Sequence, residues 1–306
     1  MHTFILRRIL QTIPVLFGVT IAVFLVLQLM PGDPARIIAD VEASREDVEN
    51  VRVSLGLDQP IYVQYVNYIS NVLSGNLGNS YRTGRPVIQE IGYGYGNTVV
   101  LGLAAAILAA VVGAILGVAS AIRKGGFLDN AILTLSLAGL STPTFFLGII
   151  LMLVFSVQLK LLPLSGIGGF SHLVLPAVTL ALADTAIIAR VMRSNLIDVL
   201  NQDYVRTARA KGLSEAVILT RHAIPNSLIP VVTVIALQMG ILLGGAVVTE
   251  TVFAWPGIGR LIVQSIDARD FPVIQASILL LAVTFVVLNL IADILYYLID
   301  PRMKLK

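Results

Sequence analysis

Two carboxylates, Asp184 and Asp293, stand inside otherwise apolar runs of this 306-residue chain. An ionisable group in such a run is costly to keep and is by default a candidate for function. Asp184 lies about 9 Å of helix rise before Arg190, so it either faces a water-filled path or pairs within a helix bundle. It is a possible translocation-path residue. Asp293 follows Asn-Leu-Ile-Ala near the end of the last apolar run, in reach of basic loop residues. Neither acid sits in the GxGD pattern of an intramembrane aspartyl protease. His2, His172 and His222 lie on different segments, which argues against a shared metal site. Cysteine is absent, so disulfides, cysteine-held metals and thiol catalysis are excluded. The dipeptide Gly-Lys never occurs, so no Walker-type nucleotide loop exists, and HExxH and GxSxG are missing too. These residues point away from an enzyme and away from a cofactor held by this chain.

The elements that position them are membrane helices. The chain is 57% hydrophobic and 13% charged, against about 25% charged in a soluble protein. Runs longer than the ~20 residues of a transmembrane helix predict six spans, at 9–30, 98–122, 130–158, 173–192, 227–249 and 273–299. The first follows Arg7 and Arg8, as a signal core would. Its 22 uncharged residues exceed the ~7–15 of such a core, and no small-x-small site follows, so it reads as a retained span. The third is long for one crossing, and Pro143 predicts a kink or a tilted start. The fold class is therefore all-α and polytopic.

Charge sets the orientation. Arg7, Arg8, Arg123, Lys124, six Lys/Arg within 190–222, and Arg302, Lys304 and Lys306 fall on one side of a six-span chain. Segments 31–97, 159–172 and 250–272 fall on the other. The positive-inside rule then places both termini in the cytoplasm. The net charge of +3 belongs to that bias, and no basic cluster carries the interleaved aromatics of a nucleic-acid binder.

The 67 residues of 31–97 show helical spacing with Gly and Pro stops, which predicts a small external helical subdomain between the first two spans. Residues 92–96, GYGYG, read as a flexible lead into the second span. On this reading 1–97 holds the first span and the external subdomain, and 98–306 holds a five-helix core. Gly113 and Gly117, and Gly240 and Gly244 with Gly245 adjacent, set small faces at four-residue spacing, where helices approach closely.

Between the fourth and fifth spans stands DYVRTARAKGLSEAVILTRHAIPNSLIP, beginning at Asp203. No Gly or Pro interrupts 190–211, which predicts one continuous helix leaving the membrane. Gly212 stops it as the residue just past the C-cap. Ser214 then caps a second short helix, which ends before Pro225. Ala208 and Ala210 keep the first helix slim, while Tyr204, Arg206, Arg209 and Lys211 supply an anchor and charge. Such an elbow suits insertion into a cleft of another protein, or contact with anionic headgroups. The residues alone leave that choice open.

The segment 203–225 resembles the EAA loop of bacterial ABC importer permeases, whose pattern is EAA-x3-G-x9-I-x-L-P. Aligned on Gly212, the EAA positions fall on Arg206, Thr207 and Ala208, and the I-x-L-P positions on His222, Ala223, Ile224 and Pro225. Arg206, Thr207 and His222 depart from the pattern, but RTARAKG is what the peptide-importer branch looks like. RRILQTIPVLFGVTIAVFLVLQLMPGDPA, LGLDQPIYVQYVNYI, SGNLGNSY and ETVFAWPGIGRLIVQSIDARDFPVIQ are similar to dipeptide, oligopeptide, glutathione and nickel permeases, nearly end to end.

That resemblance implies a type I ABC importer permease fold in a bacterial inner (plasma) membrane. It implies a second, usually non-identical permease as partner and two cytoplasmic ATPase subunits that hold ATP and Mg. It also implies an external solute-binding protein that delivers the cargo. On the motif match, ATPase coupling falls to Ala208, Gly212, Ile224 and Pro225, flanked by Tyr204, Arg206 and Lys211. Peptides are the expected cargo and nickel the alternative. A secondary transporter driven by an ion gradient would be expected to show repeated halves and broken helices, and the sequence displays neither.

Overall fold

The computed structural model describes residues 2–29, 33–39 and 43–299. The basic tail residues Arg302, Lys304 and Lys306, and the junction 30–32, lie outside the described residues. The described residues are helix and loop, with one isolated bridge between Asn79 and Pro86. They form two compact units, 1–98 with 256–286 and 99–255 with 287–306.

The first unit holds α1 (His2–Leu29), α2 (Pro34–Ile38), α3 (Arg45–Ser54) and α4 (Ile61–Leu73). The start of α5 (Val87–Ile122), α12 (Ile258–Asp267) and the first half of α13 (Phe271–Ile299) complete it. Ser44 and Asp47 close a capping box that starts α3. Phe24 stacks on Tyr68 of α4 with centroids 6.0 Å apart, and meets Tyr65 edge-on at 5.4 Å. Val87, Ile91, Ile258, Ile262 and Val273 make a separate apolar core. Asp270 fixes the preceding loop: its carboxylate accepts from Ser80 Oγ at 2.5 Å and from the Tyr81 amide at 3.1 Å.

The predicted flexible lead at 92–96 is instead continuous helix within α5. Close approach explains at least one of its glycines, because a Cβ on Gly94 would lie 3.3 Å from the backbone of Gly257 and of Ile258. At 36 residues, α5 is well beyond the ~20 needed to cross a bilayer.

The second unit contains the rest of α5, α6 (Phe127–Ser141), α7 (Thr144–Leu151), α8 (Phe170–Leu200), α9 (Asp203–Ala210), α10 (Glu215–Val217) and α11 (Ile224–Val252). Its core gathers Leu101, Ala105, Ile188, Met192, Leu196 and Val231. Gly113 and Gly117 behave as the spacing predicts. A Cβ on Gly113 would fall 2.8 Å from Ile188 Cβ, and one on Gly117 would fall 2.6 Å from the Ala189 carbonyl. Gly244 differs: nothing lies within 4 Å of a Cβ there, so it makes no close helix contact among the described residues. The Gly245 surroundings lie outside the described side chains. Leu103, Ile107, Val111 and Ile115 recur every fourth residue and stay exposed along α5, as a lipid-facing stripe does.

Five helices are long and apolar enough to cross a membrane, and a sixth span follows if the pair 127–141 and 144–158 counts as one. That pair replaces the continuous, at most kinked helix expected at 130–158. Its halves meet at 108°, far more than a kink. Thr142, held extended before Pro143 (φ −93°, ψ 128°), ends α6, as pre-proline sterics dictate. A π-helical turn at Met152–Gln158 then closes the second half.

Candidate functional site

The elbow is built locally. α8 does not run on to 211 as predicted, but stops at Leu200; Asn201 and an extended Gln202 separate it from α9. The cause lies in Asn201 and Asp203, whose side chains compete with helix hydrogen bonds and favour boundaries. Asn201 Nδ2 turns back to the Ile197 carbonyl at 2.9 Å, and Asp203 opens α9. The break turns Val205 and Ala208 inward onto Ile218 and Leu200, with Val205 and Ile218 fully buried. Ala208 is thus small because α9 lies close on this seat, whereas Ala210 is exposed.

Gly212 ends α9 at φ +79°. The Leu213 amide reaches the Ala208 carbonyl at 3.3 Å and the Gly212 amide reaches Arg209 at 2.9 Å, the paired bonds of a Schellman turn. Ser214 occupies the N-cap position in extended conformation, but its side chain makes no capping bond. Across the turn, Arg209 grips Glu215 through both carboxylate oxygens, at 2.7 and 3.2 Å. Both groups are exposed, so this fork fixes an angle more than it adds stability.

Pro225 does not end the second helix. The chain runs from Glu215 through a π-helical turn at Ile218–Ala223 directly into α11. The π-turn precedes the proline at the start of α11, and nearby side chains serve carbonyls one turn back. Asn226 Nδ2 donates to His222 O at 2.7 Å and Ser227 Oγ to Ala223 O at 2.5 Å. Asn226 also reaches Tyr204 Oη at 3.2 Å, tying the start of α9 to α11. The predicted residues therefore separate into two sets. Tyr204, Arg206, Lys211, Gly212 and Pro225 are exposed, whereas Ala208 is buried and Ile224 half-buried against the helix core.

Asp184 is buried and accepts from Gln238 Nε2 of α11 at 2.5 Å. Its hydrogen-bond partner inside the bundle is therefore Gln238 rather than a residue of its own helix such as Arg190. Sequence reasoning missed another buried acid, Asp129, which is 1% exposed at the start of α6. Arg193 of α8 holds both its oxygens, at 2.6 and 2.7 Å. The Gly125 amide donates at 2.8 Å, and Ser120 Oγ donates as well. One carboxylate thus ties the α5–α6 turn to the helix that leads into the elbow. Arg193 lies 64 positions away, and no local signal announces such a pair.

Apolar spanning helices, a bent pair and a charged elbow between two of the spans define a polytopic membrane protein. The chain belongs to the family described as "Binding-protein-dependent transport system inner membrane component", matched over 109–305, with that family's N-terminal region matched over 1–102. It is 45% identical over 306 residues, the full length of both chains, to the glutathione transport system permease protein GsiC of Salmonella choleraesuis (strain SC-B67). The protein of the same name from Escherichia coli (strain K12) is 44% identical over the same span. Among solved structures, one of the MetNI methionine ABC transporter in inward-facing conformations covers 70% of this chain and 97% of its own, with TM-score 0.59 at 18% identity. An amino acid ABC transporter covers 68% and 93%, with TM-score 0.51 at 15% identity. These two likenesses establish the fold alone. The chain is a multi-pass inner-membrane permease with the all-α type I importer architecture.

Proposed function

We propose that this chain is one of two permease subunits of an ATP-driven importer for short peptides, glutathione or peptides of its size among them. Two cytoplasmic ATPase subunits, which carry the ATP and Mg, drive it through the elbow at 203–225, and an external binding protein delivers the cargo. The observation that carries this reading is the elbow itself. It has its own apolar seat, a fixed Schellman turn at Gly212 and a bidentate Arg209–Glu215 fork. A segment so stiffened, with Tyr204, Arg206 and Lys211 exposed, transmits a push rather than absorbing it. Lipid contact alone would not require that stiffness, so a protein cleft is the better partner. The pair Asp129–Arg193 extends the rigid path into α5 and α6, which fits a rigid-body switch between two states. The contact of Asp270 with Ser80 and Tyr81 supports placing 31–97 and 250–272 on the same, external side. Both termini then lie in the cytoplasm, as the charge bias requires. The peptide cargo rests on the full-length similarity to glutathione permeases.

The natural chain has no cysteine, which makes a direct test simple. Arg206→Cys provides a unique thiol on the exposed face of α9. In membranes containing the assembled transporter, a short thiol–amine crosslinker should join it to an ATPase subunit. The same substitution at Ser70, in the external segment, should not crosslink. Crosslinking from Ser70→Cys but not from Arg206→Cys would reverse the proposed orientation.

A further inference from the structure

The first unit carries an open-mouthed cavity of about 450 Å³, lined in part by Asn67, Tyr68, Asn71, Tyr81, Phe271 and Gln275, of which Asn67 and Asn71 are exposed at its mouth. That volume falls in the ~300–1,000 Å³ range of small-molecule sites. The elbow and the helix core make no use of it.

Its chemistry is specific. Tyr68 Oη is buried and has no hydrogen-bond partner among the described residues, a state that native interiors rarely leave unexplained. Burial, and next to it the neighbouring Tyr65, push this phenol up to about 12, so it stays a neutral donor. Burial and then Asp270 raise Tyr81 as well. The carboxamides of Asn71 and Gln275 also engage no partner among the described residues, while Asn67 reaches only Gln59, at 3.2 Å. Arg52 is the only charged residue among the described lining residues, and Asp33 at 2.6 Å and Glu49 at 3.3 Å already occupy it. The wall therefore offers unspent neutral donors and acceptors but no free charge. Aromatic faces complete it, Tyr81 and Phe271 meeting edge-on with centroids 6.5 Å apart.

We propose that this cavity is a binding subsite for a short peptide, which it holds by its amide groups and apolar side chains before or beside passage through the membrane. Carboxamides pair with peptide groups as donor and acceptor together, and aromatic faces cover planar amides and side chains without selecting one. A wall whose one charged group is already paired sets no strong preference for the sign of the side chain. Such a site suits a carrier of varied short peptides better than one of a metal ion or a highly charged solute. The inference rests on the reading of the chain as a peptide permease.

Saturation-transfer NMR on the whole transporter in lipid nanodiscs, without binding protein, tests it with trialanine as probe and maltotriose as control. Trialanine should receive saturation and maltotriose should not. Tyr68→Phe and Gln275→Leu should each lower the trialanine signal about three- to tenfold, as loss of one hydrogen bond does. Asn71→Trp, which fills the cavity from a surface position, should abolish it while the transporter assembles normally. Equal signal from maltotriose, a trialanine signal indifferent to all three variants, or no trialanine signal would overturn the subsite. A phospholipid held in the cavity and displaced only by Asn71→Trp would overturn it too. Uptake of labelled tripeptide by the wild-type transporter, measured in parallel with binding protein, separates the two claims. Uptake without saturation transfer ends the subsite alone, whereas absent uptake with saturation transfer ends the cargo assignment and leaves the subsite.

Discussion

In the elbow, Gly212 holds φ +79°, and a Cβ there would meet nothing within 4 Å; in the seam between α5 and α8, Gly117 is ordinary helix, yet a Cβ would fall 2.6 Å from the Ala189 carbonyl and from Met192 Cβ. One glycine is required by backbone shape, the other by lack of room. The elbow is a local device, specified within about two dozen residues and exposed on its outer face. The seam is long-range packing on which the fold depends. Damage to the seam is therefore expected to remove the protein, and damage to the elbow to leave a protein that no longer transmits.

Gly117→Val puts three carbons into backbone and core, and overpacking of that kind costs about 3 kcal/mol or more where nothing can shift. The yield of folded permease from membranes and its unfolding temperature should both fall sharply. A variant with wild-type unfolding would mean that the seam is looser than the geometry describes. Asp129→Ala should come next. Loss of one partner leaves Arg193 uncompensated, but that guanidinium is 22% exposed and can rehydrate. The cost should accordingly be about 2–3 kcal/mol, below the ~3–5 of a fully buried pair. Asp129→Asn should cost less, and thermal unfolding of the two variants checks the order.

Gly212 variants sharpen the contrast most. An L-residue in the left-handed region costs roughly 1–2 kcal/mol, and no clash adds to it, so Gly212→Val should insert and assemble at near-normal levels. Asn tolerates that region better, so Gly212→Asn should keep much of its uptake. Equal uptake by the two would remove backbone shape as the cause. The smallest effect is expected from Asp184→Asn. The neutral amide can still pair with Gln238, so unfolding should shift by less than about 1 kcal/mol. A large loss of uptake at unchanged stability would instead return Asp184 to the translocation path.

What could be read from the sequence follows the same division. The turn at Gly212 and the break at Pro143 each depend on one residue and its neighbours, and their positions were legible. Their consequences were less so. Pro143 produces a 108° bend rather than a kink, because the pre-proline residue goes fully extended. Pro225 ends nothing, because a π-helical turn and the side chains of Asn226 and Ser227 accommodate it. The interruption at 201–202 was written only in Asn and Asp preferences, which are weak against a run without Gly or Pro. The glycines at 92–96 looked like flexibility and lie in helix, since the contact of Gly94 with Gly257 joins residues 163 positions apart. Asp129 and Arg193 were invisible for that reason too: a long-range ion pair has no spacing to read.

The central claim is that the elbow carries the work of ATP hydrolysis into the membrane helices. It is tested most directly by measuring peptide uptake and ATP hydrolysis together, in proteoliposomes holding the assembled Gly212→Val transporter and supplied with binding protein. The account predicts continued hydrolysis with uptake per ATP close to that of vesicles lacking binding protein. Wild-type uptake per ATP from a properly assembled Gly212→Val transporter would contradict it.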